Sequence, residues 1–171
     1  MNEQNKLYYP LNFNEMQYLN PDAKIITYDQ LNDIKDIRQL FRNTNKIIIL
    51  YLLQSKNMGH YTTLFLNKDG LNYFDSYGKP ADYWLDILTK KQRAEYNQRE
   101  DELEILLKNY QVEWNEFLLQ SKKTDTCGCF VTHRLHNSKL TEKEYMDKYF
   151  TNNKKSPDLI VANYCLKLLN K

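Results

Sequence analysis

Cys127 opens the stretch of this chain whose residue types suit nucleophilic chemistry, TCGCFVTH at positions 126–133. The apolar residues that follow recur with helical spacing, and Thr126 or Asp125 is suited to cap the helix at its amino end. The Cys127 sulfur would then lie in the first turn, where unpaired N–H groups and the helix dipole favour a thiolate. The other interpretation is a buried and unreactive cysteine, which is the usual state of a free thiol.

A histidine and an aspartate border a hairpin pattern earlier in the chain, where they could assist such a thiolate. His60 begins one apolar strand, an Asp-Gly turn lies at 69–70, and Asp75 ends the next strand. If Leu66 pairs with Leu71, His60 and Asp75 are diagonal neighbours on one face of the sheet. A two-residue loop at 69–70 would keep that face but move them one step apart, and a three-residue loop would put them on opposite faces.

The remaining elements must position these residues, and their patterns predict an order along the chain. The first segment, through Pro21, is expected to be an arm or an edge strand, and a capping box at Thr27 predicts a helix to about Phe41. The apolar run at 47–53 predicts a central strand covered on both faces. Later patterns predict helices at 80–98 and 101–108, a strand at 112–119, and then helices starting at Cys127, at Thr141 and at Ser156.

Gln120 would end the last of these strands, seven positions before Cys127. A cysteine protease needs a thiolate, an imidazole that takes and returns its proton, and a carboxylate that orients the imidazole. It also needs donors aimed at the oxyanion of the intermediate. Cys127, His60, Asp75 and Gln120 are the candidates for these four roles.

The order His, acid, Gln, Cys resembles that of the adenovirus maturation protease and the SUMO-specific proteases. The chain carries GHY at 59–61, YFDSYG at 73–78 and CGCF at 127–130, with Gln120 at the family's distance from the cysteine. The second motif looks most like the maturation proteases of virophages, of large self-synthesising transposons (Polinton/Maverick) and of related large DNA viruses. The match covers about residues 47–135.

The resemblance implies a fold and a role for each matched residue. The fold would be a single α+β domain over residues 1–171, papain-like and circularly permuted as in adenain, with the catalytic helix packed on a mixed, largely antiparallel sheet. Cys127 would be the nucleophile, His60 the general base and later acid, and Asp75 the group that orients His60. The Gln120 side chain and the Cys127 N–H would form the oxyanion hole.

The resemblance also implies a substrate and leaves two positions unexplained. The substrate would be a protein, a viral capsid or other structural precursor cut after small residues such as Gly-Gly, in the virion or in the virus factory of the host cytoplasm. Members often carry Trp directly after the histidine, where this chain has Tyr61, so the shape of the substrate channel is not implied. Cys129 has no counterpart in the motif and is interpreted as structural.

Length, charge and cysteine content limit the other classes of function. A chain of 171 residues fits one domain, and a formal charge of +2 is too small to indicate nucleic acid by itself. Three cysteines without paired spacing indicate a reducing, intracellular compartment, and no apolar run reaches transmembrane length. We therefore expect a monomer with no cofactor and no membrane. Weak stimulation by DNA, as in the adenovirus relative, is neither supported nor refuted by the paired lysines.

Alternatives remain open at this point. Cys129, His133 and His136 fall at i, i+4 and i+7 of a helix and could hold zinc, although no paired-cysteine knuckle accompanies them. An isopeptidase that removes SUMO or ubiquitin, and an acyltransferase with the same triad, are compatible with the same four candidate residues. A non-catalytic binding protein with an inactive protease-like fold is disfavoured, because all four polar roles are filled.

Overall fold

The structure is a computed structural model that describes residues 1–55 and 58–171. Within these ranges five strands form one sheet, in which they lie side by side in chain order: β1 (Lys24–Thr27), β2 (Lys46–Ser55), β3 (Met58–Asn67), β4 (Gly70–Phe74) and β5 (Val112–Trp114). The two inner pairings, β2–β3 and β3–β4, are antiparallel, whereas the two outer pairings are parallel and somewhat shorter. The sheet is therefore mixed, and most of its paired residues are antiparallel.

Short helices surround this sheet, and the predicted α+β class is confirmed. The α-helices of the described ranges are α1 (Glu3–Leu7), α2 (Phe13–Leu19), α3 (Lys90–Glu95), α4 (Glu102–Leu107), α5 (Cys127–His136), α6 (Glu142–Tyr149) and α7 (Pro157–Leu168). As expected, α5 packs on the sheet, where it contacts β3, and α7 packs against α5. None of the helices in these ranges has the length and apolar character needed to cross a membrane.

Two apolar cores lie on opposite faces of the sheet, because β2 presents apolar side chains on both of its faces. Ile48 and Leu50 join the core beneath α5 and α7, which also holds Phe130. Ile47 and Ile49 join the core on the other face, beneath α4 and the 28–39 segment. The prediction of a strand covered on both faces is confirmed, but β2 is second in the sheet and β3 is the middle strand.

Two predictions near the amino end are wrong, and local capping explains both. The segment through Pro21 forms α1 and α2 instead of an arm or edge strand, because the Asn2 and Asn12 side chains cap the two helices. The capping box at Thr27 does form, but it begins a 3-10 helix at Tyr28–Asp33. The backbone is extended at Ile34 and Asp36, so a separate 3-10 turn, Ile37–Gln39, replaces the second half of the predicted helix.

Two further predictions are corrected in the middle of the chain. Residues 80–98 do not form one helix: a 3-10 turn at Tyr83–Leu85 is followed by α3, which Thr89 begins with its own capping box. The strand predicted at 112–119 ends at Trp114. Beyond it, the Asn115 side chain bonds the backbone of Asp75, and Gln120 lies in an irregular segment and not at a strand end. The helix predicted at 101–108 and the helices predicted to start at Thr141 and Ser156 are present.

Candidate active site

Cys127 is the first residue of α5 and Thr126 precedes it at the N-cap position, both as predicted, but the Thr126 side chain does not cap the helix. Its hydroxyl bonds the Asp158 carboxylate instead of an N–H of α5. Cys127 as a residue is half-buried. Burial alone would raise the pKa of this thiol, but the hydrogen bond and positive charge of His60 and the N–H groups of Tyr61 and Gly128 lower it below its ordinary value.

The hairpin has the register that places His60 and Asp75 on one face. Leu66 pairs with Leu71, so the ladder runs up to Thr63 opposite Phe74. His60 Nε2 lies 3.1 Å from Asp75 Oδ1, with the histidine 5% exposed and the aspartate 0% exposed. Because Nε2 faces the carboxylate, Nδ1 is the ring nitrogen left for the thiol.

The charges of the three side chains support one another. Burial by itself would lower the pKa of His60, but the charge and hydrogen bond of Asp75, together with the Cys127 thiol, raise it above its ordinary value. A raised histidine pKa and a lowered cysteine pKa both favour a thiolate beside an imidazolium. The buried carboxylate behind the imidazolium then completes an alternating row of charges.

Three residues to which the sequence analysis gave no role in the site hold Asp75 in place. The Trp84 indole N–H donates to Asp75 Oδ2 over 2.5 Å, and the Tyr77 backbone N–H donates to Oδ1 over 2.7 Å. Asn115 accepts from the Asp75 N–H and donates to the Asp75 carbonyl, at 3.0 and 2.6 Å. Asn is disfavoured inside strands, so its presence at 115 was the one local signal that this segment departs from a strand.

Aromatic rings cover the buried His60–Asp75 contact. The Trp84 ring centroid lies 4.3 Å from that of His60, and the Tyr77 ring lies 5.3 Å from it. Tyr77 and Trp84 also contact each other edge to face. These rings exclude water from the ion pair, which strengthens its charge interactions. Tyr61, in contrast, is buried in the core beneath α5.

Gln120 is buried, and its amide is held in one orientation. Its Oε1 accepts from the Ser76 hydroxyl at 2.6 Å, and its Nε2 donates to the Thr124 carbonyl at 3.0 Å. Since a carbonyl can only accept, the nitrogen end of the amide must face Thr124. The backbone N–H of Gln120 also donates to the Ser76 carbonyl, so the residue after Asp75 contacts Gln120 at two points.

Cys129, His133 and His136, the three residues of the zinc alternative, bond separate partners and are not arranged as a metal site. Among residues 1–55 and 58–171, no group of three His, Cys, Asp or Glu side chains is arranged to hold a metal. Cys129 is buried in the core, where its carbonyl accepts from Cys165. His133 and His136 bond the hydroxyls of separate tyrosines.

Comparison with known proteins finds likeness in structure and none in sequence. No family model matches the chain, and no curated protein matches it. Among solved structures, ChlaDub1 from Chlamydia trachomatis is similar at 12% identity and a TM-score of 0.45, over 96% of this chain and 94% of that one. The central domain of the uncharacterized Lpg1148 protein from Legionella pneumophila is similar at 17% identity and a TM-score of 0.45, over 95% and 99%. The ASFV pS273R protease is similar at 13% identity and a TM-score of 0.45, over 96% and 68%.

Proposed function

We propose that this protein is a cysteine endopeptidase that uses Cys127, His60, Asp75 and Gln120. The observation that carries the proposal is the buried His60–Asp75 contact beside a helix-start thiol of lowered pKa. A thiolate is the reactive form of cysteine, and a protease must hold it near neutral pH. A buried structural cysteine needs neither the imidazole nor the carboxylate behind it.

The reaction follows from these positions. The Cys127 thiolate attacks the carbonyl carbon of the scissile peptide bond, and the His60 imidazolium gives its proton to the leaving amine as the C–N bond breaks. The product is a thioester on Cys127. His60, now neutral, takes a proton from a water molecule that attacks this thioester, and the acid product leaves with the thiolate restored.

Asp75 acts on the positive charge of His60, and Gln120 acts on the negative charge that forms on the oxyanion. Asp75 fixes the orientation of His60 and stabilises the imidazolium before and after each proton transfer. Gln120 has one amide hydrogen bonded to Thr124. Its second amide hydrogen bonds no protein group in the described ranges, and in the proposal it bonds the oxyanion together with the Cys127 backbone N–H.

The motif resemblance supports a finer proposal about the substrate. The protein would cut viral capsid or other structural precursors after small residues such as Gly-Gly, in the virion and the virus factory of the host cell. An isopeptidase or an acyltransferase would use the same four residues, and the products of the reaction distinguish them. An acyltransferase passes the acyl group to an acceptor amine, whereas an endopeptidase passes it to water.

A peptide library derived from a whole proteome tests the proposal without assuming a cleavage motif. The library is incubated with the wild type and with Cys127→Ala, and new peptide termini are identified by mass spectrometry. We expect new termini only with the wild type, and their sequences define the preferred residues before the cut. No cleavage that depends on Cys127 anywhere in the library would contradict the proposal. The capsid precursor from the same source, incubated with the same two proteins, then tests the finer proposal.

A further inference from the structure

Asp158 is a buried carboxylate outside the proposed catalytic residues, and three donors of one loop converge on it. It lies in the first turn of α7 and is 4% exposed. Its Oδ2 accepts from the Ser121 N–H at 3.0 Å. Its Oδ1 accepts from the hydroxyls of Thr124 and Thr126, at 2.6 and 2.5 Å. The loop 121–126 is thus attached to α7 at its beginning, middle and end.

This loop is the connection between Gln120 and Cys127. The carbonyl of Thr124 accepts the hydrogen bond from Gln120 Nε2. The hydroxyl of the same threonine donates to Asp158, so the carboxylate holds the residue that orients the Gln120 amide. On the far side of the amide, the Ser76 hydroxyl fixes the oxygen end.

The start of α5 depends on the same carboxylate. Thr126 immediately precedes Cys127, and a threonine at this position would ordinarily bond an N–H of its own helix. Here its hydroxyl bonds Asp158 instead. Thr124 and Thr126 are therefore both attached to Asp158 Oδ1. This shared contact couples the position of the Cys127 nucleophile to the position of the Gln120 amide.

We propose that Asp158 is a positioning residue for the oxyanion hole: it holds the loop 121–126 so that the Gln120 amide and the first turn of α5 keep their relative placement. The inference rests on the proposed peptidase function and deepens it. Oxyanion donors act only when they lie at hydrogen-bond distance from the developing charge. A displacement of about 1 Å in a group that positions the reaction can cost about 10²-fold in rate.

Asp158→Asn tests the role with almost no change in shape. When the single acceptor oxygen of the Asn faces the Ser121 N–H, its nitrogen donates to the two threonine hydroxyls, which lose their charged acceptor and must turn to other acceptors, such as the Ser121 carbonyl for Thr124. We expect kcat on the best-cleaved library peptide to fall by about tenfold to 10²-fold, with a much smaller change in KM. The rate of Cys127 alkylation by iodoacetamide should change little, because the thiolate depends on His60.

A double substitution shows whether the effect passes through Gln120. Gln120→Ala alone removes the side-chain donor that Asp158 is proposed to place. In that background, Asp158→Asn should lower kcat by much less than it does in the wild type, because positions that act as a unit are not additive. If the loss of kcat in the double variant equals the product of the losses in the two single variants, the positioning role is overturned.

Ser156→Ala is the matched control, because it weakens the same end of α7 without touching the loop. The Ser156 hydroxyl oxygen accepts from the Leu159 N–H as the N-cap of this helix. Thr124→Val is a second variant for the case in which Asp158→Asn does not fold, since it removes one hydroxyl and keeps the carbonyl that faces Gln120. We expect Thr124→Val to lower kcat and Ser156→Ala to leave it near the wild-type value.

The outcomes separate the two proposals. If the wild type cleaves peptides through Cys127 but Asp158→Asn and Thr124→Val behave like Ser156→Ala, the positioning role is overturned and the peptidase function stands. If the wild type shows no cleavage that depends on Cys127, the peptidase function is overturned, and the positioning role is overturned with it.

Discussion

Replacement of Asp75 by Asn examines the residue that connects the fold to the proposed chemistry. Asp75 Oδ1 faces the His60 ring and accepts the Tyr77 N–H, while its Oδ2 accepts the Trp84 indole N–H. All three partners present hydrogens, so only a group without hydrogens of its own satisfies them together. An Asn at this position must turn its NH2 group toward one of these donors, whichever way the amide is oriented.

The contacts of Asp75 indicate how much Asp75→Asn should change the folding free energy and kcat. One hydrogen bond to a charged group is lost within a site that is 0% exposed, which costs about 1.5–3 kcal/mol of folding free energy. The His60 imidazolium loses its countercharge, so the pKa of His60 falls and the pKa of Cys127 rises. The comparable Asp-to-Asn change in a serine protease triad lowers kcat by about 10⁴, and we expect a loss of about 10²–10⁴ in kcat here.

Three assays on the same variant measure these effects. Peptide hydrolysis gives kcat, urea unfolding gives the free energy of unfolding, and the pH dependence of Cys127 alkylation gives the pKa of the thiol. Asp86→Asn is the matched control, because Asp86 is exposed and its replacement makes the same change in net charge. If Asp75→Asn kept kcat/KM within about threefold of the wild type while folding normally, Asp75 would not orient His60 and the triad would need a different acid.

Further substitutions test the oxyanion donor and the backbone near the base. Gln120→Ala should lower kcat by about 10²-fold, as the loss of one oxyanion donor does, with thiol alkylation unchanged; an unchanged kcat would make this side chain a bystander. Gly59→Ala should destabilise the fold by about 3 kcal/mol or more, because a Cβ there would lie 1.6 Å from the Tyr51 carbonyl oxygen and would force two strands apart. Urea unfolding measures this loss, and Gly128→Ala should cost less, since the atom nearest to its Cβ is the movable sulfur of Met16; equal losses would show that the strand pair adapts.

The elements that carry local start and stop signals could be predicted from the sequence. Thr141 with Glu144, and Ser156 with Pro157, fix the beginnings of α6 and α7 through bonds between near neighbours. The turn composition at 67–70 leaves three hairpin loops open, and the structure has the one in which Leu66 pairs with Leu71. The diagonal placement of His60 and Asp75 was expected for that register.

The residues that complete the site could not be predicted, because their partners are distant in sequence. Trp84 lies within the segment predicted as a helix at 80–98, yet its N–H bonds a carboxylate and its ring covers a histidine. Asp158 lies in the first turn of the helix predicted to start at Ser156, yet it binds a loop more than thirty positions earlier. The helix predicted over 27–41 failed for a related reason, since a helical apolar period does not distinguish an α-helix from successive 3-10 turns.

The protonation state of Cys127 tests the central claim most directly. The ultraviolet absorbance of the thiolate is followed against pH in the wild type, with the titration of Cys127→Ser subtracted to remove the other two cysteines. The pKa of Cys127 is lowered by His60, so the thiolate should persist below the ordinary value of 9.0 and disappear only as the pH falls through the lowered pKa. In His60→Gln, burial acts without the imidazolium, and the thiolate should form only near or above that value. A wild-type thiol that titrates at its ordinary value or higher, and does not respond to His60→Gln, would contradict the account.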